Sequence, residues 1–326
     1  MTTDRLRALA FLFLVSGAGA LVAETVWLRW LRGLLGATAP AASATLLAFF
    51  AGNALGAVLA GRRAPGWRRP VRAYAAVEGL AAAAALAVPL LLRLGEALLD
   101  GAYDALRAEP ALLAALRFGV VLLATLPAAT FYGASFPALG AAALGTSERI
   151  GRHGAGLYAV NLLGAAVGAA LGAFWLPEAL GVRGTYGVAL ALTAAAALGA
   201  FALSRSEPKR TVEAEHAVET KRTVEAEHAV EPERTVETEA VESAEPELRR
   251  GPLAIAAVSG FGTLSAQVLA VQALAQVLNQ SVYAFGTVLV VVLGALALAA
   301  AAVARLGRRP GSTVARLGEA TVVTAL

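Results

Sequence analysis

Eight apolar runs, each long enough to cross a bilayer, follow one another along this chain, at roughly 8–32, 37–61, 71–95, 112–143, 150–176, 181–203, 252–278 and 280–304. About 20 residues at a rise of about 1.5 Å span a hydrocarbon core of about 30 Å. Lipid offers the backbone no hydrogen-bond partner, so a run of this kind is stable there only as a helix. The sequence therefore predicts an all-α polytopic membrane protein with about eight transmembrane helices.

Composition agrees, with 58% hydrophobic residues and a mean hydropathy of +0.67. There is no cysteine, which rules out disulfides and thiolate metal sites. Three histidines, His153, His216 and His228, are too few and too scattered for a histidine-built metal centre, and no cofactor is expected. The net charge of +4 is divided unevenly, with arginines in short connections and glutamates in one linker. No basic segment is interleaved with aromatics, so nucleic acid is not an expected partner and the lipid bilayer is.

Arg62, Arg63, Arg68, Arg69 and Arg72 crowd the connection after the second run, which places that connection on the cytoplasmic side. Counting outward puts both termini in the cytoplasm, the acidic connection with Glu96, Asp100, Asp104 and Glu109 outside, and the Arg149/Arg152 connection inside. The first run lacks a small residue three positions before a cut near Ala23 and continues through WLRWL, so it reads as an uncleaved span. Arg29 and Arg32 fall at its outer end, with Trp27 and Trp30 as interfacial anchors.

Four segments follow: a six-helix membrane domain over 1–203, an acidic linker over 204–250, a two-helix hairpin over 251–304 and a cytoplasmic tail over 305–326. Between Ser204 and Arg250 there are 8 Lys/Arg against 13 Glu, and KRTVEAEHAVE occurs at Lys209–Glu219 and again at Lys221–Glu231. Without an apolar stripe this duplication has no core to form, and a disordered cytoplasmic linker is expected. After it, Val258-Ser259-Gly260-Phe261-Gly262 echoes Val15-Ser16-Gly17-Ala18-Gly19 at an offset of 243. Glu24 then corresponds to Gln267 and Arg29 to Gln272. Internal repeats of this sort belong to transporter-like membrane folds.

Small residues every fourth position, at Ala48, Gly52, Gly56 and Ala60 and at Gly164, Gly168 and Gly172, mark seams where helix backbones approach closely. Pro127 and Pro137 should kink or break the fourth run. Depth arithmetic brings polar side chains to one level near the inner leaflet, with Glu78 about 10 Å from the cytoplasmic end of its run and Asn53 about 12 Å from the same side. Two readings stand side by side. One is a cytoplasm-facing polar cavity lined by Asn53, Tyr74, Glu78, Thr130, Tyr158 and Asn161, with Glu78 as the anionic receptor for a cationic amine. The other is a structural hydrogen-bond network joining helices. Glu24, Arg29 and Arg32 belong to another level, as gating groups or structural ones. No nucleophile–His–acid set is present.

SGAGALVAETVWLRWLRGLLG, the GNALG of the second run, YAAVEG at Tyr74–Gly79, YGASFP at Tyr132–Pro137 and LYAVNLLGAAVGAALGAFWLPEALGVRGTY at Leu157–Tyr186 together resemble the membrane half of bacterial spermidine-synthase-like fused membrane proteins. Tyr158, Asn161, Gly164, Gly168, Pro177 and Gly181 fall in that family's order. The resemblance implies a membrane module that binds or passes a small cationic or polyamine-related substrate, beside a soluble aminopropyltransferase-type domain or protein on the cytoplasmic side. Full-length members continue into a Rossmann-like catalytic domain, and nothing in this sequence supplies one. The steps Gly17/Gly19 and Gly260/Gly262 lie inside apolar runs and follow no strand. Catalysis by this chain alone is therefore not expected. A stand-alone secondary transporter and a truncated anchor without activity are the alternatives.

Overall fold

A computed structural model describes residues 3–36, 39–143, 147–207, 250–277 and 282–306, and every regular element within them is helical. The helices are α1 (Thr3–Leu35), α2 (Ala39–Arg63), α3 (Pro70–Leu106), α4 (Pro110–Ala143), α5 (Ser147–Ala170), α6 (Leu176–Ser204), α7 (Arg250–Val277) and α8 (Val282–Leu306). Seven stretches are long and apolar enough to cross a membrane, consistent with a multi-pass membrane protein. One of them, Gly154–Ser204, is 51 residues long. At about 1.5 Å per residue it would exceed twice the thickness of a hydrocarbon core.

That stretch turns back on itself at Gly181, whose φ of 69° lies in the left-handed region that glycine enters without steric cost. The register against α1 proves the reversal. Gly164 meets Leu14, Gly168 meets Ala18 and Gly172 meets Val22, so α5 runs parallel to α1. Gly199 meets Leu12, Gly19 meets Thr193, and Trp27 meets Tyr186, so α6 runs antiparallel to it. Similar pairings make α1 and α3 parallel (Phe13 with Tyr74, Ser16 with Glu78) and α2 and α4 parallel (Gly52 with Ala129, Gly56 with Thr130). The first six helices thus alternate in direction, as a chain threading a bilayer must.

α1 occupies the middle of the bundle. Ser16 to Leu28 are buried on every side, a pattern that requires neighbours all round. Its neighbours approach through glycine. A Cβ added at Gly56 would fall 1.7 Å from the Thr130 carbonyl oxygen, and one at Gly164 would fall 2.1 Å from that of Leu14. Both seams expected from the four-residue spacing are therefore real contacts between backbones.

At one end, Arg5 donates to the Leu203 carbonyl, and the backbone N–H groups of Val71 and Arg72 donate to the Glu207 carboxylate. These bonds tie the start of α1 and α3 to the finish of α6, and Glu207 satisfies donors that the first turn of α3 leaves open.

Two expectations need correction. Glu96, Asp100 and Asp104 do not form a loop; α3 carries on through them to Leu106, since nothing breaks the helix before Glu109-Pro110. Of the kink or break expected at Pro127 and Pro137, the break does not occur: α4 passes through both as one continuous helix. The acidic repeat over 208–249 and the tail beyond Leu306 lie outside the described residues.

Packing does not reproduce the echo between the first and the last hairpin. Gly17 and Gly19 are pressed against Asn161 and Thr193, while Gly260 and Gly262 face open space. Val258 and Phe261 are 72% and 75% exposed, as on a helix whose outer face meets lipid. Helix α8 instead runs antiparallel along α5, with Gly286 against Ala173 and Ala304 beside Gly156.

Candidate functional site

Glu78 is fully buried in the middle of the helix bundle. It projects from α3 towards α1, where the Ser16 hydroxyl lies 2.9 Å and 2.8 Å from its two carboxyl oxygens and donates to them. Ser135 of α4 is a second hydroxyl beside the carboxyl. Tyr74, one helical turn before Glu78, is buried next to it, with its hydroxyl beside the same carboxyl. Among the described residues Glu78 has no cationic partner. A carboxyl in such a place normally faces an arginine or lysine; here it is surrounded by hydroxyls.

The remaining expected residues share this level but sit on different faces of the helices. Asn161 of α5 donates to the Phe13 carbonyl and packs on Gly17. Ser16 and Gly17 are about 100° apart around α1, so Asn161 and Glu78 meet adjacent sides of the same turn. Asn53 donates to the Phe49 carbonyl of its own helix, with its backbone against Gly133. Thr130 donates to the Leu126 carbonyl in the same α2–α4 seam. Tyr158 is 42% exposed, its ring edge-on to Phe136. The structure therefore brings Glu78 and Tyr74 together, holds Asn161 across α1, gives Asn53 and Thr130 local partners and leaves Tyr158 at the periphery.

Ser16 and Ser135 were not anticipated as site residues. The usable signal was depth. Counted from the starts of the apolar runs at about 8 and 71, Ser16 lies about eight residues in and Glu78 about seven, so on two parallel helices their levels coincide within about 2 Å at about 1.5 Å per residue.

Farther along α1, Glu24 is buried and neither carboxyl oxygen has a hydrogen-bond partner. Gln267, its counterpart in the echo, is also buried and its side-chain nitrogen is likewise unpartnered. Arg29 has a definite role. Pro177 lacks an N–H, and the chain widens into a π turn over Leu171–Trp175, which frees carbonyls at that point. Arg29 donates from Nη2 to the Ala173 carbonyl at 2.9 Å.

Tyr186 does the same for Pro89. That proline cannot donate to the carbonyl of Ala85 four residues earlier, and the Tyr186 hydroxyl donates to it instead, while accepting from Trp27 Nε1 at 3.1 Å. Arg29 thus satisfies a carbonyl freed by a broken helix.

No family model, curated protein or solved structure matches this chain.

Proposed function

We propose that the six-helix unit receives a small cationic amine of the polyamine class, with Glu78 as its counter-ion. One observation carries this reading: a wholly buried carboxyl in a membrane bundle has no basic partner among the described residues and is ringed by hydroxyls alone. An intramembrane ionisable group without a structural counter-charge is costly to keep and is by default functional. A protonated amine would neutralise the carboxylate and donate hydrogen bonds to it and to the tyrosine oxygen.

The resemblance to spermidine-synthase-like membrane proteins supports the same substrate class. On that reading the chain sits in the bacterial inner membrane with both termini in the cytoplasm, and works with an aminopropyltransferase-type domain or protein there. Its own part is to bind or pass the amine.

The site is closed in this conformation, so entry requires α3 to part from α1 or α4. That closure also favours a second reading, in which Ser16, Glu78 and Tyr74 serve only to join helices. Scintillation binding of radiolabelled spermidine to the purified protein separates the two. Glu78→Gln keeps the shape and removes the charge, and should weaken binding by about tenfold or more, the weight of one charge-assisted hydrogen bond. Unchanged affinity would leave only the structural role.

A further inference from the structure

At the end of the bundle away from Glu78, α1, α3 and α6 enclose a cleft of about 330 Å³. Trp30, Leu92 and Tyr186 make its floor, and Arg93, Glu96 and Arg183 stand around its rim. Arg93 follows Glu78 by 15 residues, about 22 Å along the helix, so the two sites do not communicate through one pocket. The three rim charges are exposed, and among the described residues none of them forms an ion pair, although Glu96 follows Arg93 by only one turn.

Arginine is found here at the end opposite the Arg62–Arg72 connection, where the charge asymmetry of membrane proteins would favour its absence. A guanidinium pair matches a phosphate in geometry as well as charge. A carboxylate on the same rim would repel a simple anion, but it suits a ligand that also carries an ammonium. Trp30 and Tyr186, edge to face with centroids 4.7 Å apart, give an aromatic floor of the kind that settles at headgroup level and attracts cations. Below the rim, Leu90 and Leu94 of α3 are exposed, offering an apolar track beside the cleft.

We propose that this cleft binds the headgroup of a phospholipid bearing a phosphodiester and a primary ammonium, with Arg93 and Arg183 on the phosphate and Glu96 on the ammonium. The site is independent of the amine-binding reading of Glu78 and stands whether or not that reading does.

Native mass spectrometry of the full chain, released from bilayers of equimolar phosphatidylethanolamine, phosphatidylcholine and phosphatidylglycerol, tests it. The expected result is preferential retention of phosphatidylethanolamine. The double variant Arg93→Ala/Arg183→Ala should lower that retention by about tenfold or more. Glu96→Gln should erase the preference over phosphatidylcholine, whose quaternary ammonium donates no hydrogen bond, while leaving lipid bound. All three positions are exposed, and unchanged melting by circular dichroism would show that the variants fold. Equal retention of the three lipids would overturn the proposal, and so would a double variant that holds phosphatidylethanolamine as the parent does. Displacement of the lipid by soluble glycerophosphoethanolamine at matching concentration would overturn the lipid assignment in favour of a water-soluble zwitterion.

Discussion

Ser16 and Ser259 occupy equivalent places in the two halves of the 243-residue echo, yet only one of them touches anything that matters. The Ser16 hydroxyl serves both oxygens of Glu78, while Ser259 lies on the exposed side of α7. Ser16→Ala removes the donor that serves both carboxyl oxygens of Glu78 and should cost about 1–2 kcal/mol, read as a lower thermal midpoint in detergent. Ser259→Ala should leave the midpoint where it is. Equal effects at the two positions would mean that the Ser16 bond contributes nothing. Individual residues show how far the sequence could be read: Glu78 stood out because an isolated carboxyl in an apolar run is rare, and depth arithmetic put Asn53, Asn161 and Glu78 at one level. Which face each residue occupies depends on helix rotation. Asn53 and Thr130 bond to carbonyls four residues back in their own helices, the local alternative always open to such side chains, and spacing does not say which alternative wins.

The helices owe their closeness to glycine, and the consequence differs sharply from one glycine to another. Gly56→Ala drives a methyl group into the Thr130 backbone and should destabilise the bundle by about 1–3 kcal/mol. Gly187→Ala, on a face with nothing within 4 Å, should be neutral or slightly stabilising, because alanine is the better helix former. Thermal midpoints of the two purified variants check both statements. These seams were legible in the sequence as small residues every fourth position. The proline helices were less so. A proline announces a freed carbonyl but not its new partner, and the donors, Arg29 for Ala173 and Tyr186 for Ala85, come from other helices far along the chain. Arg29 consequently reads as an oddity in sequence and as a necessity in three dimensions. The length of α3 was missed for a different reason: acidic residues signal an exposed segment without saying whether that segment is helical.

At the scale of the molecule, the alternation of the first six helices fixes which loops share a side. The turn at Ala64–Gly66 and the far part of α3 near Gly101 stand at opposite ends. Because the chain has no cysteine, single cysteines can be placed at will. In intact cells a membrane-impermeant maleimide should label Gly101→Cys and should reach Gly66→Cys only after the membrane is opened, as the arginines of the Arg62–Arg72 connection require. The opposite pattern would invert the orientation, and labelling of both in intact cells would contradict the crossing of α3. Eight apolar runs are read in the sequence, and among the described residues seven stretches are long and apolar enough to span, one of which, Gly154–Ser204, reverses at Gly181 within an otherwise unbroken helical stretch. The echo of the first hairpin in the last was also visible, but sequence likeness did not carry the packing with it, since α1 is enclosed and α7 is largely exposed.

The account turns on whether an amine reaches Glu78. Carbodiimide labelling of carboxyls in the membrane-embedded protein, resolved by peptide mass spectrometry, asks this directly and carries its own control in the buried Glu24. Saturating spermidine should suppress labelling at Glu78 while leaving Glu24 unaffected. Labelling at Glu78 that ignores spermidine, or that never occurs because the site does not open, would contradict the account.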